Sequence, residues 1–598
     1  MKLKRTFISI VALMLAVCLM PTALAATWYL EDGDITVIAN ENGQSVKQGS
    51  NSAVADSDTV ITQRDSEKAT DNTITVSTTD DATANITIED VNINSYGDAI
   101  DVGSSGANIT LEGDNKLNSE YGSGLHVSDG DVTITGSGSL EAGSKNDSNN
   151  NAAIGSHENE AMSGDITIGG DAQVTAVSRD DGAGIGSGDM GKMSGDITIG
   201  DNAQVTAWSE TGGAGIGSGR ESNMSGNITI GGSAQVTAGS NSETAGIGSG
   251  NNGVFTSTGR VVIRDSAKVT AIGENEGAGI GTGEDELMAG MIIIQDNAQV
   301  TAIAGDRAAA IGSDNLDEMT GTIIIIGNAR VTTGILDDDD VYFDYNTKEI
   351  KYTLDENAIG YIGDSKYSNH ESDEGHYIIG PNVTINGISG SDIEALKDYI
   401  NVRLSGENHD GEPENLTKLD VRSENDEFTV TAEGEGAVEK ILYGGSENVP
   451  TAPGTYPVTC VVRIGEETIE FQIGTYVVPE PAPQPEPMAH HERIQLYRVA
   501  DKQGRSIAYK AVQKGGVLTI TTDEKEAKLI IERGGLFALS RQGITKIVFV
   551  TASKKSAISV SAAMEKGSGE FVLLHSYRKV KLTIAGAAVD ADGILIKE

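Results

Sequence analysis

A segment related to Gly-Ala-Gly-Ile-Gly-Ser-Gly recurs through the first half of the chain, with its isoleucine at Ile154, Ile185, Ile216, Ile247, Ile280 and Ile311. The steps are 31, 31, 31, 33 and 31 residues. A second series, Val174, Val205, Val236, Val269, Val300 and Val331, carries the same single 33-residue step in the same repeat. Two phase-locked series of six make each repeat one structural unit stacked on the next.

Each repeat holds three short apolar runs, of the kind Ile-Thr-Ile, Gln-Val-Thr-Ala and Ala-Gly-Ile-Gly, separated by Gly, Asn, Asp and Ser. Ile166, Thr167 and Ile168 alternate with the period of a strand, and no segment carries a helical period. Three strands and three turns per repeat predict an all-β fold, the coil of a parallel β-helix, with successive coils about 4.8 Å apart. Proline agrees: of eleven, none falls between Pro21 and Pro381, as a ladder bonded on both sides requires. The glycines around each isoleucine read as a packing device, letting the chain turn tightly while the isoleucine fills the core.

Earlier coils are shorter, with first-strand residues Ile86, Ile109 and Val132 spaced 23 apart. The longer coils therefore carry about eight extra residues, which we assign to a loop projecting on one side (VSRDDG, SETG, ENEG). Asp171, Asn202, Ser233, Ser266, Asn297 and Asn328 occupy one turn position and are expected to bond neighbouring turns.

Residues 1–25 have the order of a secretory signal peptide: Lys2, Lys4 and Arg5, an apolar run over 7–20, then Ala23, Leu24 and Ala25. The run is some six residues short of the roughly 20 that span a bilayer, and no second one follows, so no membrane span is expected. Export predicts an extracellular or cell-surface location. Removing this segment leaves Cys460 alone, which excludes an intramolecular disulfide and reads as a small buried strand residue. The helix is expected over 26–335 and its terminal coils and cap over 336–395. A short-strand β module follows over 396–478, a Pro-rich linker over 479–491, and a β sandwich or barrel over 492–598.

Charge divides the chain. Residues 26–488 hold 22 Lys+Arg against 77 Asp+Glu, whereas residues 489–598 hold 18 against 11. The acidic part repels phosphate and excludes nucleic acid as its partner. The basic part suits an anionic cell-wall polymer.

Signs of catalysis are weak. The arginines of the repeats (Arg179, Arg220, Arg260, Arg264, Arg307, Arg330) fall at unrelated positions, and the copies stay near-uniform where an enzyme would break its repeat. Eight histidines without HExxH or Cys-His spacing argue against zinc. Asp337, Asp338, Asp339 and Asp340 are the candidate Ca2+ ligands, with a solvated turn as the alternative. Aromatics, nearly absent from the repeats, gather at Tyr342, Phe343, Tyr345 and Tyr352. These four are the candidate sugar-stacking residues, with cap core as the alternative.

The order NITLEGDNKLNSEYGSGLHVSDGDVTITGSGSLEA, then repeated GDITIGG and GAGIGSG, resembles the secreted carbohydrate-binding β-helix proteins of clostridial and related Gram-positive bacteria. That resemblance, over about residues 70–335, implies a right-handed helix, calcium, and an acidic plant or wall polysaccharide as ligand. The Pro-Gly-Thr-Tyr turn near residue 455 similarly resembles the Ig-like modules of bacterial surface proteins. The expected function is a non-enzymatic carbohydrate-binding or adhesive surface protein, with a protein-binding adhesin and a calcium-dependent polysaccharide lyase as rivals.

Overall fold

The computed structural model describes residues 26–596 except 80–81, 145, 147–148, 285–286, 314–318, 356–357, 359, 364–374, 397–398, 402–415, 425–426, 435, 465–466, 479–495, 533, 567–568, 578 and 591–593. The signal segment and the Pro-rich linker therefore lie outside the described residues. The chain divides into two compact units at 480/481.

The first unit is a parallel β-helix of three long sheets. The Ile-Thr-Ile strands stack in one, the Gln-Val-Thr-Ala strands in the second and the Ile-Gly strands in the third. Like pairs with like in successive coils: Ile166 with Ile197, Val174 with Val205, Ile185 with Ile216. These side chains point inward and are at most 2% exposed. The predicted ladder of turn residues also forms in part, with Asn202 Nδ2 donating to Asp171 Oδ1 at 3.0 Å and Asn328 Nδ2 to Asn297 Oδ1 at 3.2 Å.

Glycine in the third sheet is a geometric requirement. Gly186, Gly217 and Gly248 have φ of 143°, 142° and 141°, and a Cβ on Gly217 would lie 1.8 Å from the Gly248 carbonyl oxygen. No other residue tolerates both the backbone angle and the approach.

Two expectations are corrected. Ile109 pairs with Ile134, and Val132 with Ala107, so the second short step is 25 residues and not 23. The extra length of the long coils does not lie in the VSRDDG-type loop. It lies between the Ile-Gly and Ile-Thr-Ile strands, where Val127 is followed by a strand at Val132, but Gly186 by one only at Ile197. That longer connection folds inward, not out. Its Met162, Met193, Met224, Phe255, Met288 and Met319 are fully buried and bridge from coil to coil. Sulfur side chains adapt to the irregular gap between two sheets.

The aromatic segment does not cover the open end. After Leu336 the chain leaves its coil, turns back as a hairpin pairing Phe343 with Ile350, and re-enters the stack at Ile362. Hairpin residues Leu336, Val341, Phe343 and Ile350 pack on Val177, Trp208, Ile272 and Ile303, the outward residues of four Gln-Val-Thr-Ala strands. The hairpin's Lys348 pairs with Glu141, 207 residues away. The end itself carries a short helix at Ile393–Leu396 whose Leu396 is buried in the main core.

Residues 416–478 are joined to the helix and are not a detached spacer. Leu416–Glu424 continues the Ile-Thr-Ile sheet, and a three-stranded sheet follows over Gly436–Tyr443, Gly454–Ile464 and Glu467–Val478. Its Val458, Cys460, Val462 and Phe471 pack on Ile293, Ile324 and Ile378. The register explains the site of docking: the outward column runs Thr167, Thr198, Thr229, then Val262, Ile293, Ile324, Ile378. Apolar residues replace threonine where the face is covered. Burial pushes the Cys460 thiol up to about 12, which keeps it unreactive.

The second unit contains two five-stranded sheets and two short helices, Gly535–Arg541 and Val560–Glu565, around one core that includes Leu529, Phe571, Ile547 and Phe549. The helices were not foreseen. No described helix is long and apolar enough to cross a membrane.

Candidate functional site

Strand alternation turns Gln204 and Thr206 outward while Val205 and Ala207 fill the core. Because the strands stack in register, the outward residues form two parallel columns. One is Gln204, Gln235, Lys268 and Gln299, and the other Thr206, Thr237, Thr270 and Thr301. Together they line a shallow depression of about 470 Å³. The columns carry an amide or ammonium and a hydroxyl on each coil, repeated at the strand spacing of about 4.8 Å. The next outward column, at Trp208, is the one beneath the hairpin, so the hairpin borders the groove. Glu141 stands in the threonine column two coils before Thr206, and it pairs with Lys348 of the hairpin.

Of the four candidate aromatic residues, Phe343 is 4% exposed and belongs to the hairpin's packing, which removes it as a ligand contact. Tyr345 packs edge-on against Phe343, carries the Arg179 guanidinium 4.5 Å above its ring and donates to Glu210. Tyr342 and Tyr352 are 53% and 38% exposed and remain open to a ligand. The candidate calcium ligands do not form a turn: all four lie within the strand Arg330–Asp344. Asp337 is exposed, and the side chains of Asp338, Asp339 and Asp340 lie outside the described residues.

A second constellation was missed by sequence reasoning. His126 lies between inward Leu125 and Val127, opposite Asp101 of the preceding coil. Its Nδ1 is 2.8 Å from Asp101 Oδ1, and its Nε2 2.8 Å from Glu160 Oε2. The His157 ring stacks on it at 3.8 Å, 3° from parallel, and His157 Nε2 is 2.7 Å from Asp98 Oδ1. Burial opposes a charge on His126, but bonds to Asp101 and Glu160 and the charge of Asp98 outweigh it and raise its pKa to about 9. Burial likewise acts against the Asp98 carboxylate, and the His157 bond overcomes it, leaving its pKa below the usual carboxylate value. Searching for local motifs could not find this group, because its members come from successive coils. The usable signal was a histidine at an outward strand position with an acid at the same position one coil earlier.

Further along, carboxylates crowd at the same coil connections. Asp181 accepts from Thr211 and pairs with Arg220, and burial followed by the Asp181 charge lifts the Asp189 carboxyl to about 6. No family, curated protein or solved structure matches this chain.

Proposed function

We propose that the protein is a secreted or cell-surface, non-enzymatic carbohydrate-binding protein whose β-helix serves as the platform. The observation that carries this reading is the pair of Gln/Lys and Thr columns, open to solvent and bordered by a hairpin with exposed Tyr342 and Tyr352. A linear polymer laid along the helix axis meets the same donors and acceptors at each coil. Sugar hydroxyls both donate and accept, as do the amide and hydroxyl groups of the groove. Tyrosine supplies a flat apolar face for a pyranose ring.

Charge narrows the ligand. With 77 Asp+Glu against 22 Lys+Arg over residues 26–488, the first part disfavours a polyanion, so a neutral extended polysaccharide is the preferred ligand. The likeness to clostridial carbohydrate-binding β-helix proteins supports a right-handed coil and a polysaccharide ligand, whereas the acidity of the first part favours a neutral chain over the acidic, calcium-linked one that the likeness implies. The Ig-like reading of residues 396–478 rests on its Pro-Gly-Thr-Tyr turn. Residues 492–598, with 18 basic against 11 acidic groups over 489–598, would hold an anionic wall polymer by charge.

A glycan array probed with the full chain, with and without chelator, tests the proposal. Binding to neutral extended polysaccharides that survives chelation supports it. Capture of host protein with no glycan signal would favour the protein-binding adhesin. Ultraviolet-absorbing unsaturated product from polygalacturonate with calcium would replace it by the lyase.

A further inference from the structure

We propose that Asp98, His126 and His157 form a binding site for one divalent transition-metal ion of the zinc type, independent of the glycan groove. Among the described residues this is the one group of three or more such side chains whose ligand atoms all lie within 4.8 Å of one another.

The topology that assembles the group is specific. Asp98 precedes the strand Ile100–Gly103, His126 is central in Leu125–Val127, and His157 follows Ile154–Gly155. Ile100, Leu125 and Ile154 are in register, so three consecutive coils deliver one ligand each. Asp98 is anchored by the Ser123 amide, which donates to its Oδ1 at 2.7 Å. The Asp98 and His126 side chains are 16% and 10% exposed, and His157, at 32%, provides the opening.

The donor set selects the ion. Calcium takes six to eight oxygens and magnesium near-octahedral oxygen, whereas two imidazoles with carboxylate suit zinc and its neighbours. At one edge of the stacked rings lie His126 Nδ1, His157 Nε2, Asp98 and Asp101. Two nitrogens and the Asp98 carboxylate give three ligands and leave the fourth position of a tetrahedral ion to water, with Asp101 held beside His126 Nδ1. At the opposite edge Glu160 Oε2 lies 2.8 Å from His126 Nε2 and 3.7 Å from His157 Nδ1. A carboxylate on the far nitrogen is the outer partner that orients and strengthens a ligating histidine. Entry of the ion displaces to solvent the hydrogens shared between these nitrogens and Asp101 and Asp98. Each imidazole lone pair lies in its ring plane, so the rings must fan apart about the shared edge to meet one ion.

The test is equilibrium dialysis of the full chain, stripped with chelator, against zinc, with calcium and magnesium in parallel and circular dichroism on every variant. One zinc per chain, retained over both alkaline-earth ions, is expected. His157→Ala should abolish this binding while the spectrum is unchanged, and Glu160→Gln should weaken it roughly 10- to 100-fold. A chain that takes up no stoichiometric zinc, or a folded His157→Ala variant that binds it as tightly as the parent, overturns the assignment.

Discussion

Gly239 is the strand neighbour of Trp208, and a Cβ on Gly239 would lie 3.0 Å from Trp208 Cζ3 and 3.1 Å from Ile350 Cδ1. The missing side chain in one coil makes room for the largest side chain of the next and for the hairpin above both. Gly239→Val, which would ordinarily favour a strand, should therefore destabilise by about 1–3 kcal/mol through overpacking. Trp208→Ala should cost about 3–5 kcal/mol by emptying the same contact. Thermal melting reads both. Tryptophan emission in a Trp28→Phe background gives a second readout, since loss of the hairpin's cover in Phe343→Ala should shift Trp208 to the red.

The glycine column of the third sheet admits a paired comparison. At Gly217, with φ of 142° and the Gly248 carbonyl oxygen 1.8 Å from any added Cβ, alanine should cost roughly 3 kcal/mol or more. At Gly200 a Cβ meets nothing within 4 Å, and alanine there should be neutral or stabilise by about 0.4–1 kcal/mol. Equal melting temperatures for the two variants would refute the stacking geometry.

Residues 416–478 should loosen without unstacking the coils. Phe471, 1% exposed against the outer isoleucines, contributes about 3–5 kcal/mol on truncation to alanine. Hydrogen exchange in Phe471→Ala should rise over residues 436–478 and stay unchanged over residues 166–240.

Acid should act on the second unit through His575. This histidine is fully buried, contacts Thr551 Oγ1 at 3.2 Å and Ser556 Oγ at 2.9 Å, and is held neutral by burial and then by Lys554, with its pKa lowered to about 4. Above pH 6.5 both folded and unfolded forms are neutral and nothing is lost. Between pH 6.5 and about 4 the unfolded chain takes up a proton that the folded chain refuses, so stability falls, by roughly 2–3 kcal/mol at the lower limit. Exchange over residues 496–596 of the full chain, followed from pH 7 to 4, should rise in the parent and flatten in His575→Gln.

The stacked coil was legible because its side chains repeat: inward isoleucines and valines at the same strand positions in every coil fix the register without knowledge of the turns. Connections were not legible in the same way. A buried methionine ladder looks in sequence like part of a turn, since single residues bridging coil to coil have no period of two. The direction of the hairpin was hidden too, because a chain rich in Tyr and Phe reads equally as an end cap or a flank cover. Only the covered column at Trp208, Ile272 and Ile303 distinguishes them. The His126 group failed for another reason. Its members are neighbours through the 23- to 31-residue return of a solenoid, which no short motif expresses.

The most direct measurement is the affinity of the full chain for the neutral polysaccharide it retains on an array, compared with a Gln235→Ala, Thr237→Val, Lys268→Ala variant by affinity electrophoresis. These side chains point out of the coil, so melting should be unchanged, while affinity should fall at least tenfold. Unaltered affinity in the folded triple variant would contradict the groove as the binding face.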